Sequence, residues 1–172
     1  RLDWEGELAI VIGRPGRGIA AMDARDHIAG YTIINDLAVR ERFNRTDGVI
    51  PALNFDWLAA RCADTLAPLG PGLAPAWTIA DPHQLRIRLW VNGQLKQDSS
   101  SAGMTTGVDE LVAAASAMMT LEPGDVLATG TPPGVGLARG EFLTAGDEIA
   151  VEIESIGRLV NPVIAHAASR SS

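Results

Sequence analysis

The stretch LRIRLWVNGQLKQDSS, Leu85 to Ser100, constrains the fold more than any other segment of this chain. Apolar and polar residues alternate along LRIRLWV, the period of a strand with one face on a core. Asn92-Gly93 is the dipeptide that a tight type I′ turn asks for, and QLKQDS returns as the second arm of a hairpin. The punctuation of the whole chain points the same way. Eighteen glycines and ten prolines against 5% aromatic residues mark many turns between short strands and argue against a helical bundle.

Other segments fill in this picture. ELAIVIG reads as a strand ended by the GRPGRG loop, and DARDHIAGYTIIND as a short helix leading into a strand at AGYTIIND, which leaves Asp36 at the strand's exit. LAVRERF is a helical turn, and NRTDGVIPALNFDWLAARCADT an irregular insertion with a helix at FDWLAAR. GVDELVAAASAMMTL has helical spacing, with Leu111, Ala115 and Met118 on one stripe packed against a sheet, and EPGD terminates it. DVLATGTPPGVG is a strand running into a Gly/Pro loop. FLTAGDEIAVEIESIG supplies a strand pair and RLVNPVIA a last strand. No repeat and no linker divides the chain. The expected fold is α+β, mostly β with a few helices, in a rolled or barrel-like mixed sheet; a doubly wound α/β sheet would need regular strand-helix alternation. One domain spans 1–165, with 166–172 as a small, polar, loosely held tail.

With 172 residues and 47% hydrophobic content, a domain of this size can bury a real core. The net charge of −7 offers no broad footprint for nucleic acid or an anionic membrane, no run reaches the length of a membrane span, and no secretory signal opens the chain. A single cysteine, Cys62, excludes an internal disulfide framework and points to a reducing, cytoplasmic setting. His27, His83 and His166 are isolated and read as surface or capping residues. A small molecule or a metal is the expected partner.

The candidate chemistry begins in WEGELAIVIG. A strand sends alternate side chains to opposite faces, so Glu5 and Glu7 point the same way with nothing basic beside them. Such a pair must be solvated, protonated or bridged by a cation. With Asp36 it forms a set of hard oxygen donors that suits Mg²⁺, Mn²⁺ or Ca²⁺; the plainer account is a solvated E-x-E edge with Asp36 capping the turn after it. ATGTPPGVG offers glycine N–H groups and the hydroxyls of Thr129 and Thr131 to an anion, or is simply a tight turn; it has neither a P-loop ending nor a dinucleotide fingerprint. Arg40 is a carboxylate clamp, a surface arginine or a partner of Asp36. Arg61 and Asp64 read as an ion pair at a helix end. Ser99, Ser100 and Ser101 have no His or Asp arrangement that would make a nucleophile.

Taken in order, WEGELAIVIG, IAGYTIINDLAVRER, DTLAPLGP, VNGQLKQDSS, MMTLEPGDVLATGTPPGVG and FLTAGDEIAVEIESIG resemble the catalytic carboxyl-terminal domain of the fumarylacetoacetate hydrolase family, over nearly the whole chain. The resemblance implies a mixed β-roll that binds one divalent metal and acts on 2-oxo or diketo acids and their enols, usually as a homodimer. By position, Glu5, Glu7 and Asp36 correspond to the metal carboxylates, Thr131 to the hydroxyl that holds the substrate carboxylate, and Arg40 to the family's arginine after the metal aspartate. The paired glutamates would then be held together by the cation.

Three departures accompany the match. Arg61 in RCADT stands where the family commonly has a lysine, replacing an amine that can shift its pKa with a guanidinium that cannot; electrostatic stabilisation is the role left to it. Phe43 stands seven residues after Asp36, where many relatives carry a substrate-binding glutamine, so an apolar wall replaces a polar contact. The chain also starts almost on the first metal strand, without the upstream portion that in many relatives supplies a lid with an acid/base His and Glu, as a truncated chain would. The insertion from Asn44 to Trp57 is expected to act as a mobile cover. The expected activity is metal-dependent cleavage of a C–C bond in an acylpyruvate-like 2,4-diketo acid. The alternatives are decarboxylation or isomerisation of an unsaturated 2-oxo dicarboxylate, as in aromatic degradation, and a metal-binding scaffold without turnover.

Overall fold

A computed structural model describes residues 1–165; the tail expected at 166–172, with His166, lies outside the described residues. In chain order the strands are β1 (Leu2–Asp3), β2 (Gly6–Ile12), β3 (Ile28–Asn35), β4 (Ala38–Val39), β5 (Leu69–Pro75), β6 (Arg86–Val91), β7 (Gln94–Ser100), β8 (Val126–Ala128), β9 (Glu148–Ile153) and β10 (Gly157–Pro162). The helices are α1 (Trp57–Arg61), α2 (Val108–Met118) and α3 (Gly136–Arg139), with 3-10 turns at Ala21–His27, Arg40–Phe43 and Pro51–Asn54 among others. The class is α+β and mostly β, as the sequence predicts.

The roll is built from two four-stranded sheets in the orders β5-β3-β2-β8 and β10-β9-β6-β7, with β1 and β4 forming a short ribbon. Each of their pairings is antiparallel, so the sheets are not mixed. The core lies between the two sheets. Leu8, Ile10 and Ile12 of β2 and Tyr31 and Ile33 of β3 meet Ile87, Leu89 and Val91 of β6 and Ile149, Val151 and Ile153 of β9. The period-two pattern of LRIRLWV thus puts its aliphatic residues inward and Arg86, Arg88 and Trp90 outward. Asn92 and Gly93 both have positive φ, 50° and 75°, the type I′ geometry expected of the turn.

Three further expectations need correction, and one strand is unexpected. The α2 stripe is Val108, Val112 and Ser116, with Leu111 and Ala115 on its flank and Met118 77% exposed. The reason is what α2 packs on: the Ala21–His27 turn and its approach, where Ser116 Oγ accepts the Ile19 N–H, 2.9 Å, not a sheet alone. FLTAGDEIAVEIESIG contributes one strand, β9, because Leu143 makes only an isolated bridge to Leu2. β5 lies in LGPGLAP, whose Gly and Pro content hides a strand that pairs along one edge of β3. Arg61 makes its ion pairs with Glu5 and Asp36, not with Asp64.

Candidate active site

The site forms where β1 passes into β2. Asp3, Glu5 and Glu7 alternate along this segment and are all buried, with exposures of 0%, 6% and 2%. Asp36 follows β3, the neighbour of β2, and its backbone N–H donates to Glu5 O, 2.9 Å. One carboxylate oxygen from each of Glu5, Glu7 and Asp36 then falls within 4.8 Å of the others. Neighbouring strands bring together acids that the sequence separates by about thirty positions.

Two guanidiniums from the next stretch of chain hold this cluster. Arg40 donates from Nε to Asp3 Oδ2, 2.7 Å, and from NH2 to Glu5 Oε1, 2.6 Å. Arg61, at the end of α1, donates from NH2 to both Glu5 oxygens, 2.9 Å each, and from NH1 to Asp36 Oδ2, 2.6 Å. α1 is started by Asp56, whose Oδ1 accepts the Ala59 N–H, 2.9 Å. Burial works against the Arg61 charge, yet the Glu5 and Asp36 carboxylates outweigh it and raise the Arg61 pKa. The side chain is therefore a fixed cation. Its Cζ sits 4.8 Å from the Trp57 ring centre and 5.7 Å from that of Phe43. Phe43 stacks on Phe55 at 5.5 Å and meets Trp57 edge-on at 5.3 Å. Together with Arg40, Arg61 and Leu137 these rings line a cavity of about 340 Å³.

The Gly/Pro loop meets anions, as its glycines suggest, but the anions are the protein's own. Gly130 N–H donates to Glu7 Oε2, 2.7 Å, and Gly136 N–H to Asp3 Oδ1, 2.6 Å. Asp3 also accepts from the Trp4 and Leu137 amides, 2.8 and 3.0 Å. A Cβ at Gly136 would lie 2.7 Å from Asp3 Oδ1 and 2.2 Å from Glu141 O, so only glycine fits. Thr131 lies on the far side of the loop, lining another cavity of about 440 Å³ with Ser99, Ser100, Thr105 and Thr106. Its hydroxyl donates to Gly6 O, 3.1 Å, and accepts from Gln97 Nε2, 2.9 Å. Glu5, Glu7, Asp36, Arg40 and Arg61 thus form one constellation, Phe43 walls it, and Thr131 stands behind it.

Glu7 differs from its neighbours. No ion pair joins it among the described residues, and its pKa is pushed up to about 7, chiefly by burial and further by the charges of Asp36 and Glu5. Four carboxylates, Asp3, Glu5, Glu7 and Asp36, face two guanidiniums, so full ionisation leaves two negative charges. Glu5 Oε2, Glu7 Oε1 and Asp36 Oδ1 each keep lone pairs after their hydrogen bonds are counted. The donor set therefore fits one divalent cation in charge and chemistry.

Asp3 and Gln97 are members that the sequence reading passes over. Asp3 continues the same period of two by one step, D-x-E-x-E, so the alternation already contains it. Gln97 pairs with Leu89 across the hairpin, which turns it toward the core. His27 and His83 make capping contacts elsewhere, to Arg14 O and from the Val108 N–H, both at 3.0 Å. Cys62 is exposed.

An antiparallel two-sheet roll that carries an acidic cluster beside a pocket bordered by two guanidiniums defines the class of fold and site to which this protein belongs. Residues 1–164 match the family model described as fumarylacetoacetate (FAA) hydrolase C-terminal, and the chain belongs to that family. It is 45% identical over 165 residues to an oxaloacetate tautomerase of Xenopus laevis, named as mitochondrial, covering 95% of this chain and 50% of the relative. Among solved structures it resembles a 5-carboxymethyl-2-hydroxymuconate delta-isomerase from Mycobacterium smegmatis, with TM-score 0.84, 40% identity, and 96% and 60% of the two chains covered. It also resembles a maleylpyruvate hydrolase from Sphingobium sp. SYK-6 in complex with manganese(II) and pyruvate, with TM-score 0.79, 34% identity, and 95% and 55% covered. The chain spans about half the length of the curated relatives it matches. No helix among the described residues is long and apolar enough to cross a membrane.

Proposed function

We propose that this site interconverts the keto and enol forms of a small 2-oxo acid, using one divalent cation, Mg²⁺ or Mn²⁺ with Ca²⁺ as a further candidate, held by Glu5, Glu7 and Asp36. When bound, such a cation supplies Lewis acidity that lowers the energy of negative charge on the 2-oxo oxygen. The rest of the work falls to the chain. Arg61, 2.6 Å from Asp36 Oδ2, keeps its proton at any working pH and adds a fixed positive charge beside the reacting carbonyl. Arg40, pinned by Asp3 and Glu5, presents its remaining N–H groups to a substrate carboxylate. Phe43, with Phe55 and Trp57, gives the pocket an apolar wall. The role expected for Thr131 as a carboxylate-holding hydroxyl asks its proton to leave Gly6 O.

The observation that carries this reading is the place of Arg61. Hydrolysis of a C–C bond needs an activated water and a proton for the departing carbon, whereas a guanidinium held by Glu5 and Asp36 exchanges neither. Enol–keto interchange also moves a proton, off the enol oxygen and onto carbon, but solvent water can carry it, so no group of the chain has to activate a nucleophile. The names of relatives support it, since the frog protein is a tautomerase and the mycobacterial one an isomerase. The second reading is C–C cleavage of an acylpyruvate, favoured by the likeness to the maleylpyruvate hydrolase. A homodimer belongs to the proposal, and a sedimentation mass of one chain counts against that part.

The test gives the protein Mn²⁺ and enol-form oxaloacetate and follows loss of the enol absorbance, beside product analysis with an acylpyruvate. Metal-dependent enol decay that disappears in Glu7→Gln is the expected result. Acid fragments from the acylpyruvate without enol decay move the assignment to the hydrolase. Stoichiometric metal binding with neither reaction makes the domain a scaffold.

A further inference from the structure

The geometry points to Gln97 as a positioning residue that locks the carboxylate strand to the Gly/Pro loop, and so sets where a 2-oxo acid meets the site. This rests on the function proposed above. Gln97 is a polar side chain with 1% exposure, placed in β7 on the core face and far in sequence from every ligand candidate. A buried amide costs least where its donors and acceptor are all used, and in Gln97 they are. Oε1 accepts the Gly6 N–H, 3.0 Å, between Glu5 and Glu7. Nε2 donates to Thr131 Oγ1, 2.9 Å, and to Pro132 O, 2.7 Å.

One side chain thus grips both halves of the site from behind. Thr131 Oγ1 closes the circuit by donating to Gly6 O, and the adjacent Gly130 N–H reaches round to Glu7 Oε2 on the other face. Gly6 is what lets the amide in: a Cβ there would lie 2.9 Å from Val151 Cγ1 and 3.3 Å from Gln97 Oε1. The glycine between the two glutamates therefore makes room for Gln97. Asn35 repeats the device one residue earlier, its Oδ1 accepting the Glu5 N–H at 3.0 Å, but it makes no bond to the loop. Of these two buried amides, Gln97 is the one that couples strand and loop.

Two variants separate this role from plain stability. Gln97→Met fills the same space and removes all three bonds; Gln97→Glu keeps the Oε1 acceptor for Gly6 and turns an oxygen toward Pro132 O. Hydrogen exchange of the metal-free protein is read at the amides of Thr129, Gly130, Thr131 and Gly134, together with calorimetric affinity of the Mn²⁺-loaded protein for oxalate, which chelates through adjacent oxygens as a 2-oxo acid does. Loss of two buried hydrogen bonds in Gln97→Glu and three in Gln97→Met predicts exchange in the loop faster by about tenfold or more in both variants, and oxalate affinity weaker by a similar factor, with Mn²⁺ affinity changed less than about threefold. Unchanged loop exchange overturns the lock, and faster exchange with unchanged oxalate affinity overturns the positioning role. A fall in melting temperature with neither change makes Gln97 purely structural. If the unmodified chain binds neither Mn²⁺ nor oxalate, the proposed function fails, and loop exchange still decides the lock.

Discussion

Asp3 and Glu7 stand at the two ends of one five-residue segment, both buried, both accepting a backbone N–H from the same loop. Their surroundings otherwise part. Asp3 receives three amides and the Arg40 guanidinium, a closed cage in which every bond comes from the protein. Among the described residues Glu7 receives one amide and no cation, and its carboxyl is driven up to about 7, chiefly by burial. Burial alone therefore does not mark a functional acid. What separates the two is whether the fold has supplied the opposite charge or left it to be supplied by something that binds.

The comparison predicts the largest effect at the caged end. Asp3→Asn leaves Arg40 with Glu5 as its remaining partner and turns an amide NH2 toward backbone N–H groups that the carboxylate accepted, and breaking one partner of a buried pair destabilises by about 3–5 kcal/mol. Urea unfolding checks this, and a loss below about 1 kcal/mol would show that the cage contributes little. At the open end the effect depends on pH. The Glu7 carboxyl of the metal-free fold holds its proton to about 7, against an ordinary value of 4.5, so the folded state binds more protons than the unfolded one between these limits. Stability from this group is complete below 4.5 and is lost as pH rises through 7, by on the order of 3 kcal/mol. Unfolding of chelator-stripped protein at pH 5 and pH 8 should show this slope, and Glu7→Gln should flatten it; an equal slope in both proteins places the titration elsewhere. Saturating Mn²⁺ at about one hundred times its Kd should add about 2.7 kcal/mol at pH 8 to the unmodified chain and none to Glu7→Gln. The smallest effect belongs to the bridge between the ends: Arg40→Lys keeps the charge but cannot span Asp3 and Glu5, a loss of about 1–2 kcal/mol with metal stoichiometry unchanged.

What was legible in the sequence followed the period of the strand. The hairpin at Asn92-Gly93 and the grouping of Glu5 with Glu7 need only local geometry, and Asp36 needs only that its strand return beside theirs. Partners fixed by tertiary contact were hidden. Arg61 looks like the end of a helix paired to Asp64 until α1 is folded back over Asp36, and Gln97 looks like one more polar strand residue until the hairpin register turns it inward. β5 was masked by its own Gly and Pro, because its edge position spares it some of the ladder bonds that a central strand must make. The Met118 stripe failed because hydrophobicity says which residues can be buried, not how far the supporting surface extends along the helix.

The bond from Gly136 to Asp3 joins residues 133 positions apart, and β2 takes β8, Val126–Ala128, as its second neighbour. The carboxylates are thus among the first residues of this segment to be synthesised, and the amides that cage them among the last. Until some four-fifths of the residues of this segment have emerged, Asp3 lacks the Gly136 and Leu137 amides, and the loop-closure entropy of those contacts is met late in assembly. Carboxylates that are buried in the folded domain are, during synthesis, among the last groups to be enclosed.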